Sequence, residues 1–243
     1  SGLISAISAG DITLTVSSSG NLDYNPTSVD QLITIGQATP TLAITSDNTI
    51  ALGNSLTVVT NTTATYGRGG AITFSITAGS GSATVDPNSG LINSIASGTV
   101  TVTATAAGDA DYYPATVTQL ITISKASLTL TITSANVMLV NGTQTATVTT
   151  TATASSGGAI TFSIIAGSGS ATVNSSTGLV TAISVGTMTL TATSAGDTNY
   201  NSATTSQLIT IGRATPTLTI TSANSTPPGD SLTATVTTTA TLG

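Results

Sequence analysis

The stretch "GSGSATVDPNSGLINSIASGTVTVTAT" runs from Gly79 to Thr105, and it returns as "GSGSATVNSSTGLVTAISVGTMTLTAT" from Gly167 to Thr193. Its closing "GTVTVTAT" decides the fold. Val100, Val102 and Ala104 alternate with Thr99, Thr101, Thr103 and Thr105. A period of two places the apolar residues on one face, which describes a half-buried strand. Met188, Leu190 and Ala192 repeat the pattern, as do Ile12, Leu14 and Val16 near the start. Val100, Val102 and Leu190 are therefore expected in a core.

Working outward, "AITFSI" puts Ile72, Phe74 and Ile76 on one face, and Ile160, Phe162 and Ile164 repeat it. Phe74 and Phe162 join the expected core. Leu56, Val58 and Thr60 lead another strand, matched by Leu232, Ala234 and Val236. Between these runs lie "GRGG", "GSGS", "DPNSG" and "AGDADYYP", clusters that mark turns. No helical period persists, and the β-branched Thr and Val favour extended backbone.

The self-similarity has a fixed period. "QATPTLAIT", "KASLTLTIT" and "RATPTLTIT" begin at Gln37, Lys125 and Arg213, in two equal steps of 88 residues. The units 37–124 and 125–212 align without a gap and agree at more than half of their positions. Residues 1–36 match the end of a unit and residues 213–243 match its beginning. The chain reads as two whole repeats flanked by two partial ones, a window cut from a longer array. About seven short strands per unit predict an all-β fold: tandem immunoglobulin-like antiparallel β-sandwiches with an 88-residue repeat. The joins ("ISKAS", "IGQAT", "IGRAT") spare only two or three residues, so consecutive sandwiches are expected to stack end to end.

Composition narrows the function. Of 243 residues, 39% are hydrophobic, 5% charged and 3% aromatic; His, Cys, Trp and Glu are absent. Three cations (Arg68, Lys125, Arg213) face nine Asp, for a net charge of −6. Neutralising nucleic-acid phosphates or an anionic membrane needs clustered Lys and Arg, so neither partner is expected. Hydroxyls break every apolar run well short of a membrane span. Roughly a quarter of the residues are Thr, which supplies the polar surface in place of charge. Zero Cys excludes disulfides without assigning a compartment.

The segment "TFSITAGSGSATVDPNSGLINSIASGTVTVTATAAGDADY", Thr73 to Tyr112, resembles the bacterial immunoglobulin-like group 2 repeats. These are tandem modules of invasin- and intimin-type adhesins and other long surface fibres. The shared pattern is an aromatic strand, then "ATVD…SGLI", then Gly–Thr and an alternating strand. Phe74 and Phe162 stand where that family often has Trp. The resemblance implies a spacer module at the cell surface.

Candidate sites are sparse. Gly79, Gly81, Gly167 and Gly169 form Gly-Ser-Gly loops, but a strand and not a helix follows, so they read as hairpin turns and not phosphate cradles. Asp109, Asp111 and Asp197 lie in the loop before the last strand. They are the only candidates for Ca²⁺, although two acids per loop fall short of its six to eight oxygens and turn chemistry accounts for them. Tyr24, Tyr112 and Tyr200 occupy one repeat position and suit either packing over the sandwich end or stacking on a glycan. Asn61, Asn141, Asn174 and Asn224 begin N-glycosylation triplets, none at equivalent positions. Without His or Cys, the general base for a Ser nucleophile and the usual zinc ligands are missing. A Lys–Asn isopeptide crosslink in every domain would need a Lys in every domain, and Lys125 is alone.

The expectation is a non-enzymatic structural segment of an extracellular or cell-surface fibre or adhesin stalk. No cofactor is expected. Its partners would be neighbouring repeats or copies of the same protein, with a surface glycan or host receptor as further options. Two alternatives stand beside it. One is an accessory binding array of a secreted enzyme or virion protein. The other is a set of subunits joined head to tail by strand complementation between the partial repeats.

Overall fold

The computed structural model describes residues 2–65, 68–152 and 156–239. The first glycine of "GRGG", Gly67, lies outside them. Every regular element among the described residues is a strand, and no helix there is long and apolar enough to cross a membrane. The chain divides into two compact units, Ser1–Ala126 and Ser127–Gly243, each holding one whole repeat and one partial repeat.

The first unit opens with a hairpin, β1 (Gly10–Ser18) and β2 (Thr27–Ile35), and continues into the first whole repeat. That repeat contains β3 (Leu42–Ile44), β4 (Thr49–Ala51), β5 (Ser55–Thr57), β6 (Thr60–Thr62) and β7 (Ile72–Ala78). It closes with β8 (Ser82–Val85), β9 (Leu91–Ala96), β10 (Gly98–Ala106) and β11 (Ala115–Ser124). One sheet has the order β4-β11-β10-β7, while β3-β6 and β5-β9-β8 form the other face. The nine segments are seven strands, of which the first (β3, β4) and the second (β5, β6) are each broken in two. This is the immunoglobulin-type sandwich.

The second unit holds the same elements 88 residues on. They are β12 (Leu130–Ile132), β13 (Val137–Leu139), β14 (Thr143–Thr145), β15 (Val148–Thr150), β16 (Ile160–Ala166), β17 (Ser170–Val173), β18 (Leu179–Ser184), β19 (Gly186–Ser194) and β20 (Ala203–Gly212). The closing partial repeat gives β21 (Leu218–Ile220) paired with β22 (Val236–Thr238).

The core follows the period of two. Val100, Val102 and Ala104 are fully buried on β10, and Ile121 and Ile123 face them from β11. Burying each Val or Ile stabilises by about 1.5–3 kcal/mol. Phe74 lies across from Ala104 in the β7–β10 ladder, and Phe162 across from Ala192. The small residue in each alternating strand thus leaves room for the ring. Each ring also closes on a glycine. Gly90 has φ +70°, and a Cβ there would stand 3.1 Å from the Phe74 ring. The "DPNSG" turn delivers that glycine: Asp86 Oδ1 accepts from Asn88 and Ser89 N–H at 3.0 and 2.8 Å. Asn174 does the same for Gly178.

Three expectations are corrected. The sandwich is not wholly antiparallel, because β4 pairs with β11 in parallel and β13 with β20. The first strand begins on one sheet and crosses to the other at a corner without reversing. Gln119 Nε2 holds that corner by donating to Ser46 O at 3.2 Å. Phe162 is only half-buried where Phe74 is 9% exposed. The second core has Ala146 where the first has Val58, a smaller side chain in the cluster that holds the ring. Finally, Leu232 and Ala234 lie outside any strand. Their counterparts near Leu56 pair with β9, and residues 231–234 have no such partner among the described residues.

Candidate functional site at the head of a repeat

Charge in the first whole repeat converges at one end of the sandwich. There the β6–β7 loop, the β10–β11 loop and the incoming segment 6–9 come together. The β10–β11 loop is built around Asp109, whose Oδ1 accepts from Asp111 and Tyr112 N–H at 2.8 and 2.9 Å. Its Oδ2 accepts from Gly69 N–H at 2.7 Å, stitching the two loops together. The Gly69 bond, with help from those of Asp111 and Tyr112, holds the Asp109 carboxyl below the usual carboxylate range. Gln37 Nε2 donates to Asp109 O at 2.8 Å.

Asp111 points the other way. Its Oδ2 meets Arg68 Nη1 at 2.5 Å, and its Oδ1 accepts from Ala9 N–H at 2.6 Å. Arg68 Nη1 also donates to Ile7 O at 3.0 Å. Both side chains are partly withdrawn from solvent, at 32% and 16% exposure. Ala38 bridges to Tyr112, donating to Asp111 O at 2.8 Å and accepting from Tyr113 N–H at 3.0 Å. A cleft of about 120 Å³ remains between the incoming segment and the repeat.

The oxygens of Asp109 and Asp111 therefore all accept from nitrogen donors. Among the described residues no cluster of three or more metal-ligating acids, His or Cys occurs. In the second repeat Asp197 receives Gly157, Asn199 and Tyr200 N–H at 2.7, 2.7 and 2.8 Å. In the opening hairpin Asn21 makes the same turn with Asp23 and Tyr24.

Tyr112 joins this cluster through its main chain, and the remaining candidates lie outside it. Tyr112 is half-buried; its hydroxyl accepts from Thr65 N–H at 3.2 Å and shares a hydrogen bond with Thr65 Oγ1 at 2.9 Å. Those bonds shift its hydroxyl below the usual tyrosine value. Tyr24 is 75% exposed. Gly79 and Gly81 N–H both donate to Thr99 O at 3.1 Å, and Gly167 and Gly169 repeat this at Thr187, so these loops spend their donors internally. Asn61, Asn141, Asn174 and Asn224 are all exposed and lie apart, on β6, two turns and a loop. Asn141 takes φ +61°, where the first repeat uses Gly53. In the sequence Arg68 stands out only as a scarce cation. Its partners lie 43 and 61 residues away, and nothing local announces them.

No known family profile matches the chain, and no curated protein sequence does. Among solved structures, Salmonella α-2-macroglobulin reacted with methylamine matches at 10% identity and TM-score 0.28, over 87% of this chain and 19% of that one. The chain thus spans about a fifth of that protein's length. A C-terminal 282-residue fragment of intimin, solved with the intimin-binding domain of its translocated receptor, matches at 18% identity and TM-score 0.27, over 74% and 66%. Fibronectin(III)-like modules of Clostridium thermocellum CbhA match at 12% identity and TM-score 0.28, over 71% and 94%. Likenesses this distant carry no argument, and the strand topology stands on the pairings described above.

Proposed function

We propose that the chain is a spacer: a non-enzymatic length of a repetitive extracellular fibre or adhesin stalk, built from bacterial immunoglobulin-like modules of the group 2 kind. The observation that carries this reading is the joint inside the first unit. Strand β2 ends at Ile35 and Ala38 is already bridged to Tyr112, which leaves only Gly36 and Gln37 between paired elements. The residues there that could bind a ligand are spent on holding the joint. A tether would leave slack, and a catalytic or binding loop would leave polar groups facing outward. Repetition at a fixed 88-residue step makes length the product.

Single-molecule pulling of the whole chain tests it. Each whole repeat should unfold in its own force peak. At about 3.3–3.6 Å per extended residue, each peak should release roughly 250 Å of contour once the folded length is subtracted. A chain that extends smoothly with no peaks is a soft tether, and the stalk reading then fails.

A further inference from the structure

We propose that Arg68 and Asp111 form a charge latch that sets how far the incoming segment can swing against the first whole repeat. The two side chains come from different loops of the sandwich, and together they grip the main chain of residues 7 and 9. Arg68 takes the carbonyl of Ile7, and Asp111 takes the N–H of Ala9. Because both contacts are to backbone, the latch is indifferent to the side chains of the preceding repeat. It lies beside the cleft lined by Ile7, Ala9, Ile35 and Ala38, where the joint has room to move. The covalent link and the Ala38–Tyr112 bridge hold one side of this joint. The latch holds the other.

The second whole repeat carries Ser156 and Asn199 at the corresponding positions, a pair that cannot form an ion pair. The first whole repeat therefore carries the two residues of this Arg–Asp latch, and the second carries neither. Only the purpose of the latch rests on the stalk reading; its existence does not.

The test uses the full chain and residue-resolved hydrogen exchange. In the unmodified protein, raising NaCl from about 0.05 to 1 M shortens the screening length to about 3 Å. The Ala9 amide should then exchange faster, while the Ala38 amide, bonded to a backbone oxygen, keeps its rate. Arg68→Ser and Asp111→Asn should each speed Ala9 exchange roughly tenfold at low salt, the loss expected for a charge-assisted bond. The lack of Cys permits clean spin labels at Ser28→Cys and Thr73→Cys, and their distance distribution should widen in both variants. The salt arm needs no substitution, so a variant that fails to fold does not remove the test. An Ala9 rate indifferent to salt and to both substitutions, with an unchanged distance distribution, overturns the latch. Pulling experiments could still succeed in that case, and their failure would leave the exchange result standing.

Discussion

The two whole repeats solve the same folding problem with partly different residues. Both pair their strands in the same registers, and both bury the alternating face of the strand that begins with Gly-Thr. They diverge most between residues 49 and 61 and their counterparts 137–149, where the short broken strands lie. They also diverge in charge, with Arg68, Asp86 and Asp111 replaced by Ser156, Asn174 and Asn199. What the copies share is the set of positions that the sandwich needs: the inward alternation, the turn glycines other than Gly53, and the Gln that holds the corner. What they vary is surface charge, edge sequence and the cover over one aromatic ring.

The largest difference should come from that ring. Truncating Phe74 to Ala should cost about 3–5 kcal/mol, the usual range for emptying a buried aromatic site. Phe162→Ala should cost less, because the half-buried ring surrenders less apolar area and its cavity opens to water. Denaturant unfolding of the two variants checks this, read through tryptophan-free probes such as residue-resolved exchange. Ala146→Val sharpens the comparison. If missing cover explains the exposure of Phe162, restoring the valine should bury the ring and raise the stability of the second repeat by about 1 kcal/mol. A destabilised variant would mean that the second core has already closed around the alanine.

Much of this architecture is legible in the sequence because its physical cause is local. Alternating Val and Thr fixes which face of a strand is dry, and a glycine after "PNS" or "SST" fixes a turn. The period does the rest by repeating those local signals at one spacing. The parallel edge pair is not legible. Thr49–Ala51 and Val137–Leu139 share no residue, and each becomes a strand because the open edge of the last strand accepts it. The joint was equally hidden. Asp109 and Asp111 stood out as acids in a loop, but their assignment to nitrogen donors depends on loops brought together only by the finished sandwich. Arg68 became meaningful only through Ile7, Ala9 and Asp111.

Acid should separate the repeats more gently. The Asp86 carboxylate accepts N–H bonds from Ser89 and then Asn88, which lowers its pKa from 3.8. A depressed folded-state pKa means stability that is complete above the ordinary value and is lost as pH falls through the lowered one. The first repeat should therefore weaken relative to the second below about pH 4, since Asn174 makes the same turn without a titrating group. Amide exchange at Val102 and Leu190 reports each core separately. Asp86→Asn should shrink the gap at low pH while changing little at neutral pH. A gap that persists undiminished in Asp86→Asn would show that the acid response does not come from this turn.

The smallest effect is expected where the second repeat has an additional buried hydroxyl. Ser194 is fully buried on β19 at the position of Ala106. In the first repeat Gly108 N–H donates directly to Gly69 O at 3.0 Å. In the second the hydroxyl stands between the equivalent groups: Gly196 N–H donates to Ser194 Oγ at 3.1 Å, and Oγ donates to Gly157 O. Stranding a buried polar group ordinarily costs about 1–3 kcal/mol. Ser194→Ala need not strand anything, because the two backbone groups can close on each other as they do in the first repeat. Its cost should stay within about 1 kcal/mol. The reverse change, Ala106→Ser, should also be tolerated, provided that the loop opens by one hydroxyl to admit the relay. Denaturant midpoints of the two variants measure both effects. A loss above about 2 kcal/mol in Ser194→Ala would show that the second loop is held open by something other than its serine, and that the two repeats are less interchangeable at this end than their shared register implies.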